Sequence, residues 1–92
     1  MDKREKLAEM EKLSRVLEDI VNTQTSLLKK IAQVEVENIN LGNGLIDKQI
    51  PDMMSKSDDT LELATKLEND FKDATQKFIK DNKLDEVLTE SA

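Results

Sequence analysis

An uninterrupted heptad pattern from Met10 to Leu45 constrains the fold of this chain more than any other feature. Its eleven positions, separated alternately by three and four residues, are Met10, Leu13, Leu17, Ile20, Gln24, Leu27, Ile31, Val34, Asn38, Leu41 and Leu45. Nine of the eleven residues are apolar. A repeat of about 3.5 residues keeps one stripe on one face of an α-helix, as in coiled coils. With Met10 at heptad position a, the polar exceptions Gln24 and Asn38 both fall at a, and every position d is apolar.

A second stripe in a different register indicates a second helix. It reads Met53, Ser57, Thr60, Ala64, Leu67, Phe71, Ala74 and Phe78. Small residues in this stripe let a neighbouring helix approach closely. The register changes around Gly42, Gly44 and Pro51, and residues of these types favour helix ends and turns. The sequence therefore predicts two helices separated by a turn that contains these three residues.

The predicted elements are a helix over about 3–41, a turn over about 42–54 and a helix over about 55–82, all in one domain. Whether 45–54 and 83–92 are helical stays open at this point. A short connection makes the two helices antiparallel neighbours. The predicted fold is therefore all-α: an antiparallel, coiled-coil-like helical hairpin in which the first helix is longer than the second.

Further apolar residues lie beside the two stripes and widen them: Val16, Val21, Leu28, Leu61 and Leu63. A hairpin of two helices alone is expected to leave these side chains largely exposed, whereas three or four helices in contact would cover them. We therefore expect association with another chain to complete the hairpin to a four-helix-type bundle.

The large residues of the two stripes form the predicted interface core: Leu13, Leu17, Ile20, Leu27, Ile31, Val34, Leu67, Phe71 and Phe78. Phe71 and Phe78 are the only aromatic residues, and we expect them to anchor the helical interface. The polar residues Gln24 and Asn38 have two interpretations. Either they set register and oligomeric state by pairing with a polar partner, or they face water where the stripe rotates or frays.

Charge and composition exclude several classes of function. Residues 1–30 carry a net charge of +1 and residues 31–92 a net charge of −7, within a total of −6. The acidic part would repel nucleic acid and anionic membrane surfaces. The chain contains no Cys and no His, no EF-hand pattern and no base beside a Ser or Thr nucleophile. We therefore expect no metal, no cofactor and no enzymatic activity, and we interpret the acids Asp58, Asp59 and Glu62 as a solvated helical face.

Two resemblances to known families rest on the region of the turn. The length and the helix–turn–helix layout resemble the hairpin substrates of type VII secretion and their helical accessory proteins. Leu41-Gly42-Asn43-Gly44 lacks that family's Trp-x-Gly turn, and Phe78-x-x-x-Asn82 replaces its Tyr-x-x-x-Asp/Glu export signal. The segment 41–49 is also similar to the centre of a SNARE helix with its buried Gln, although Pro51 breaks that register.

The sequence favours a protein–protein interaction module: a small acidic adaptor, assembly factor or chaperone-like subunit. Its expected partner is itself, as a homodimer, or another helical protein. One alternative is a secretion-associated hairpin, and another is an acidic inhibitor that imitates nucleic acid. No signal peptide or apolar run of about 20 residues is present, so the expected location is the cytoplasm, with signal-less export left open.

Overall fold

The computed structural model describes residues 1–84, which form two long helices, α1 (Lys3–Leu41) and α2 (Gly44–Asp81). The helices pack against each other, and the prediction of an all-α helical hairpin is confirmed. The molecule measures 64 × 20 × 18 Å between Cα atoms. Within the described residues, neither helix contains a stretch apolar enough to cross a membrane.

Side-chain and backbone caps define both ends of α1. The Asp2 carboxylate accepts a hydrogen bond from the Glu5 backbone N–H at 2.8 Å, which satisfies one of the free donors of the first turn. At the other end, Gly42 has a φ of +66°, a left-handed conformation that costs glycine little. Its N–H donates to the Asn38 carbonyl at 2.7 Å and closes the helix.

The second helix begins at Gly44, so the segment 45–54 that the sequence left open is helical, and the predicted turn over about 42–54 shrinks to Gly42 and Asn43. Asn43 caps α2, since its side-chain oxygen accepts from the backbone N–H groups of Leu45 and Ile46. Pro51 lies inside α2 and is not a turn residue. The loss of one backbone hydrogen bond at Pro51 is tolerated because neighbouring side chains of this segment pack on α1.

The early start of α2 also changes the relative lengths of the helices. With 39 residues in α1 and 38 in α2, the two match, and the expected overhang of the first helix is absent. Lys6 contacts Phe78 at the open end, and Asn38 contacts Asp47 at the turn, so the helices run antiparallel along their whole length. The predicted segment 83–92 falls mostly outside the described residues.

Residues shielded by the opposite helix recur at steps of three and four, apart from one step of seven between Ile31 and Asn38, and we call them the inner rows. In α1 they are Leu7, Met10, Ser14, Leu17, Val21, Gln24, Leu28, Ile31 and Asn38; in α2 they are Ile46, Ile50, Met54, Ser57, Leu61, Ala64, Glu68, Phe71, Thr75 and Phe78. In heptad terms, α1 uses positions a and e. The expectation that Val21, Leu28 and Leu61 would be largely exposed is therefore wrong, whereas Val16 and Leu63 are exposed as expected.

Candidate functional site

The remaining half of each heptad stripe faces away from the opposite helix. These outer rows are Leu13, Ile20, Leu27, Val34 and Leu41 in α1, and Met53, Thr60, Leu67 and Ala74 in α2, all exposed. The large aliphatic side chains of the α1 row retain 38–70% of their accessible surface. None of the nine residues is charged. We call the two outer rows together the outer face.

Both outer rows lie on the same side of the hairpin. The opposite side is marked by a shallow groove between the helices that is lined by Glu11, Arg15, Lys72 and Gln76, among others. Each outer-row residue lies two positions after a residue on that grooved side, as Leu13 follows Glu11 and Ala74 follows Lys72. Two residues turn an α-helix by about 200°, which carries both rows to the side away from the groove.

Charged side chains identify the grooved side as the polar one. The Lys72 ammonium lies 2.8 Å from the Glu68 carboxylate. This hydrogen bond and then the charge of Glu68 raise the pKa of Lys72, and Glu18 of α1 adds to the rise from across the groove. The grooved side therefore carries charged residues between the helices, whereas the outer face itself contains none.

Too few apolar side chains are buried between the helices to form a complete core. Among the described residues, no large side chain is less than 2% exposed, and the buried apolar residues are Leu7, Ile31 and Leu84. Stable domains usually enclose their core between two packed layers. This hairpin forms one layer and exposes a second apolar surface on its outer face.

The predicted interface residues divide between the two surfaces. Leu17, Ile31, Phe71 and Phe78 belong to the inner rows, and Leu13, Ile20, Leu27, Val34 and Leu67 belong to the outer face. Phe78 is half-buried, and the Lys6 ammonium lies 5.4 Å from its ring centroid, within the range of a cation–π contact. The sequence signal for the division is the set of apolar residues at position e of α1.

The two polar residues of the α1 stripe have different environments. Asn38 is buried, and its amide nitrogen donates to the Asp47 carboxylate at 2.6 Å and to the Asn43 carbonyl at 3.3 Å. Its amide oxygen accepts from the Asn43 N–H at 2.8 Å. Asn38 thus forms its side-chain hydrogen bonds with Asn43 and Asp47, at the turn of the same hairpin. Gln24 is half-buried and has no side-chain hydrogen bond within the described part of the chain.

Within residues 1–84, three pairs of charged residues one helical turn apart form ion pairs. Lys66 and Asp70 are one helical turn apart and make an exposed ion pair at 2.7 Å; the hydrogen bond and then the charge of Asp70 raise the pKa of Lys66. Asp58, Asp59 and Glu62 are exposed. Within residues 1–84 no three acidic side chains are grouped so that they could hold a metal ion.

Comparisons with known proteins yield no relative. No protein-family model matches this chain, and neither the curated proteins nor the solved structures contain a match.

Proposed function

We propose that this chain is a protein–protein interaction module, a small helical adaptor, assembly factor or chaperone-like subunit that binds through its outer face. The observation that carries the proposal is the placement of the most apolar row of α1. Its outer row is entirely large and aliphatic, whereas its inner row includes Ser14, Gln24 and Asn38. A continuous exposed apolar surface with polar borders is typical of interaction sites.

The spacing of the outer rows indicates what kind of partner fits. Side chains that recur at heptad spacing pack as knobs into the holes of another helix with the same spacing. Two rows side by side accept two helices, which would complete a four-helix bundle. Burying each large aliphatic side chain of the face contributes about 1.5–3 kcal/mol when its exposure is fully removed, and proportionally less here, since each is already partly covered.

Matched aspartate variants on opposite sides of α1 test the proposal. Ile20→Asp places a charge on the outer face, and Ile39→Asp makes the same change at a residue that is 77% exposed. Ile39 lies two positions before Leu41, so it faces the opposite side of the helix. The three proteins, wild type included, are immobilised and offered the purified chain and extracts of the native cells.

The proposal predicts a partner that binds the wild type and Ile39→Asp but is lost on Ile20→Asp. Equal binding by all three proteins would contradict it. A third variant, in which Asp58, Asp59 and Glu62 are neutralised, examines the acidic-inhibitor alternative. If binding survives Ile20→Asp but is lost on neutralisation and at high salt, the electrostatic alternative replaces the interaction module.

A further inference from the structure

We infer that the partner of the outer face is a second copy of this chain, packed so that α1 of each copy lies on α2 of the other. The inference rests on the proposed function, because it assigns an occupant to the same face. The levels of the outer-row residues along the helices and the area of the face support this occupant.

The contacts at the two ends of the hairpin fix the relative levels of its helices. Lys6 is level with Phe78, and Asn38 is level with Asp47. Both helices rise by about 1.5 Å per residue, so outer-row residues fall at shared levels. The pairs, within about one helical turn, are Leu13 with Ala74, Ile20 with Leu67, Leu27 with Thr60, and Val34 with Met53.

These levels give a self-complementary surface. If a second copy is rotated by 180° about an axis parallel to the helices, α1 of one copy lies on α2 of the other at the same levels. Leu13 then meets Ala74 and Leu27 meets Thr60, a large side chain against a small one, whereas Ile20 meets Leu67 and Val34 meets Met53, two large side chains in each pair. A two-fold interface requires this kind of reciprocal match between different parts of one surface.

The charges beside the outer face are compatible with the same pairing. The flanking rows contain the charged residues Glu9, Lys30 and Glu37 in α1, and Lys56, Asp70 and Lys77 in α2. Glu9 is level with Lys77 and attracts it, whereas Lys30 and Lys56 share a level and repel each other, so the two level pairs cancel. The overall charge of −6 lies mostly away from the contact.

The size of the face matches a stable dimer. The outer row of α1 runs 28 residues along the helix from Leu13 to Leu41, about 42 Å at 1.5 Å per residue. With the 20 Å width of the molecule this gives about 840 Å², close to the about 800 Å² per partner of a standard interface. A second copy has the required length and heptad spacing.

Light scattering across a range of concentrations, combined with cross-linking, tests the dimer. The wild type and Ile39→Asp should have the mass of a dimer at micromolar concentration, and Ile20→Asp should raise the dissociation constant by at least about 100-fold. Because the chain lacks Cys, single cysteines can be introduced without interference. Mixing Glu9→Cys with Lys77→Cys, both on the full chain, should give a disulfide-linked heterodimer on mild oxidation.

Three results would overturn the inference. A wild-type monomer at high micromolar concentration excludes the second copy. A dimer that Ile20→Asp leaves intact excludes the outer face as its interface. Efficient self-cross-linking of Leu27→Cys, with none between Glu9→Cys and Lys77→Cys, shows that α1 packs on α1 instead. If the wild type is a monomer but another protein still requires Ile20, the inference fails and the proposed function stands.

Discussion

The inner and outer rows of α1 lie on the same helix and differ in exposure. The inner row is shielded by α2 although it includes Ser14, Gln24 and Asn38, and the outer row is exposed although every residue in it is aliphatic. Hydrophobicity alone would bury the outer row first. The comparison teaches that the turn fixes the rotation of α1. Asn38 must face α2 to reach Asn43 and Asp47. The other residues at position a lie on the same face of α1 and therefore also face α2.

The inner rows should therefore determine hairpin stability, and the outer rows should determine association. The same substitution at two isoleucines compares them directly. Ile31 is 3% exposed and Ile20 is 41% exposed. Ile31→Ala should lower the free energy of unfolding by about 2–5 kcal/mol, since it removes buried methyl groups and leaves a cavity. Ile20→Ala should cost clearly less in dilute solution, as measured by urea unfolding followed by circular dichroism.

Equal losses for the two alanine variants in dilute solution would mean that both rows support the fold of a single chain. The outer face would then not be a separate association surface. Far-ultraviolet spectra of both variants before denaturation provide the control for helix content.

A second pair of variants compares the two polar residues of the α1 inner row. Asn38→Leu should cost about 1–3 kcal/mol, because it removes three hydrogen bonds and leaves the Asn43 backbone N–H without its acceptor. Gln24→Leu should be neutral or stabilising, since Gln24 has no side-chain partner among the described residues. Thermal unfolding of both variants measures the difference. A larger loss for Gln24→Leu would show that Gln24 is the residue that sets register.

The two glycines next to the turn allow a comparison of backbone conformation alone. An added Cβ meets no atom within 4 Å at either position, but only Gly42 has a positive φ. Gly42→Ala should cost about 1–2 kcal/mol, and Gly44→Ala, at the first position of α2, should stabilise by about 0.4–1 kcal/mol. Chemical denaturation distinguishes the two. A loss of stability at Gly44 would place the start of α2 further along the chain.

The smallest expected effect concerns the ion pair beside the inner row of α2. Because the pKa of Lys72 is raised above its ordinary value of 10.5, its stabilising contribution is complete below that pH and disappears as pH rises through the raised pKa. The difference in Tm between the wild type and Lys72→Met should be constant from neutral pH to about 10 and should then shrink. A difference that grows with pH would contradict the pairing with Glu68.

The sequence predicts much of this fold and less of its surface. The two helices, the bounds of the first and the turn at Gly42 follow from periodicity and glycine chemistry. The start of the second helix was misplaced because Pro51 predicts a break, while Asn43 supplies a cap eight residues earlier. The division of the stripes into inner and outer rows was missed because it depends on Asn38 and Asp47, whose hydrogen bond joins residues nine positions apart.

Urea unfolding of the wild type and Ile20→Asp, each at two protein concentrations about 100-fold apart, tests the central claim that the outer face is an association surface. Because mass action stabilises a dimer, the wild-type midpoint should rise with protein concentration. A 100-fold rise in concentration adds about 2.7 kcal/mol to the apparent free energy of unfolding of the dimer. The Ile20→Asp midpoint should be lower and the same at both concentrations. A wild-type midpoint that is independent of concentration, or an equal rise in both proteins, would contradict the account.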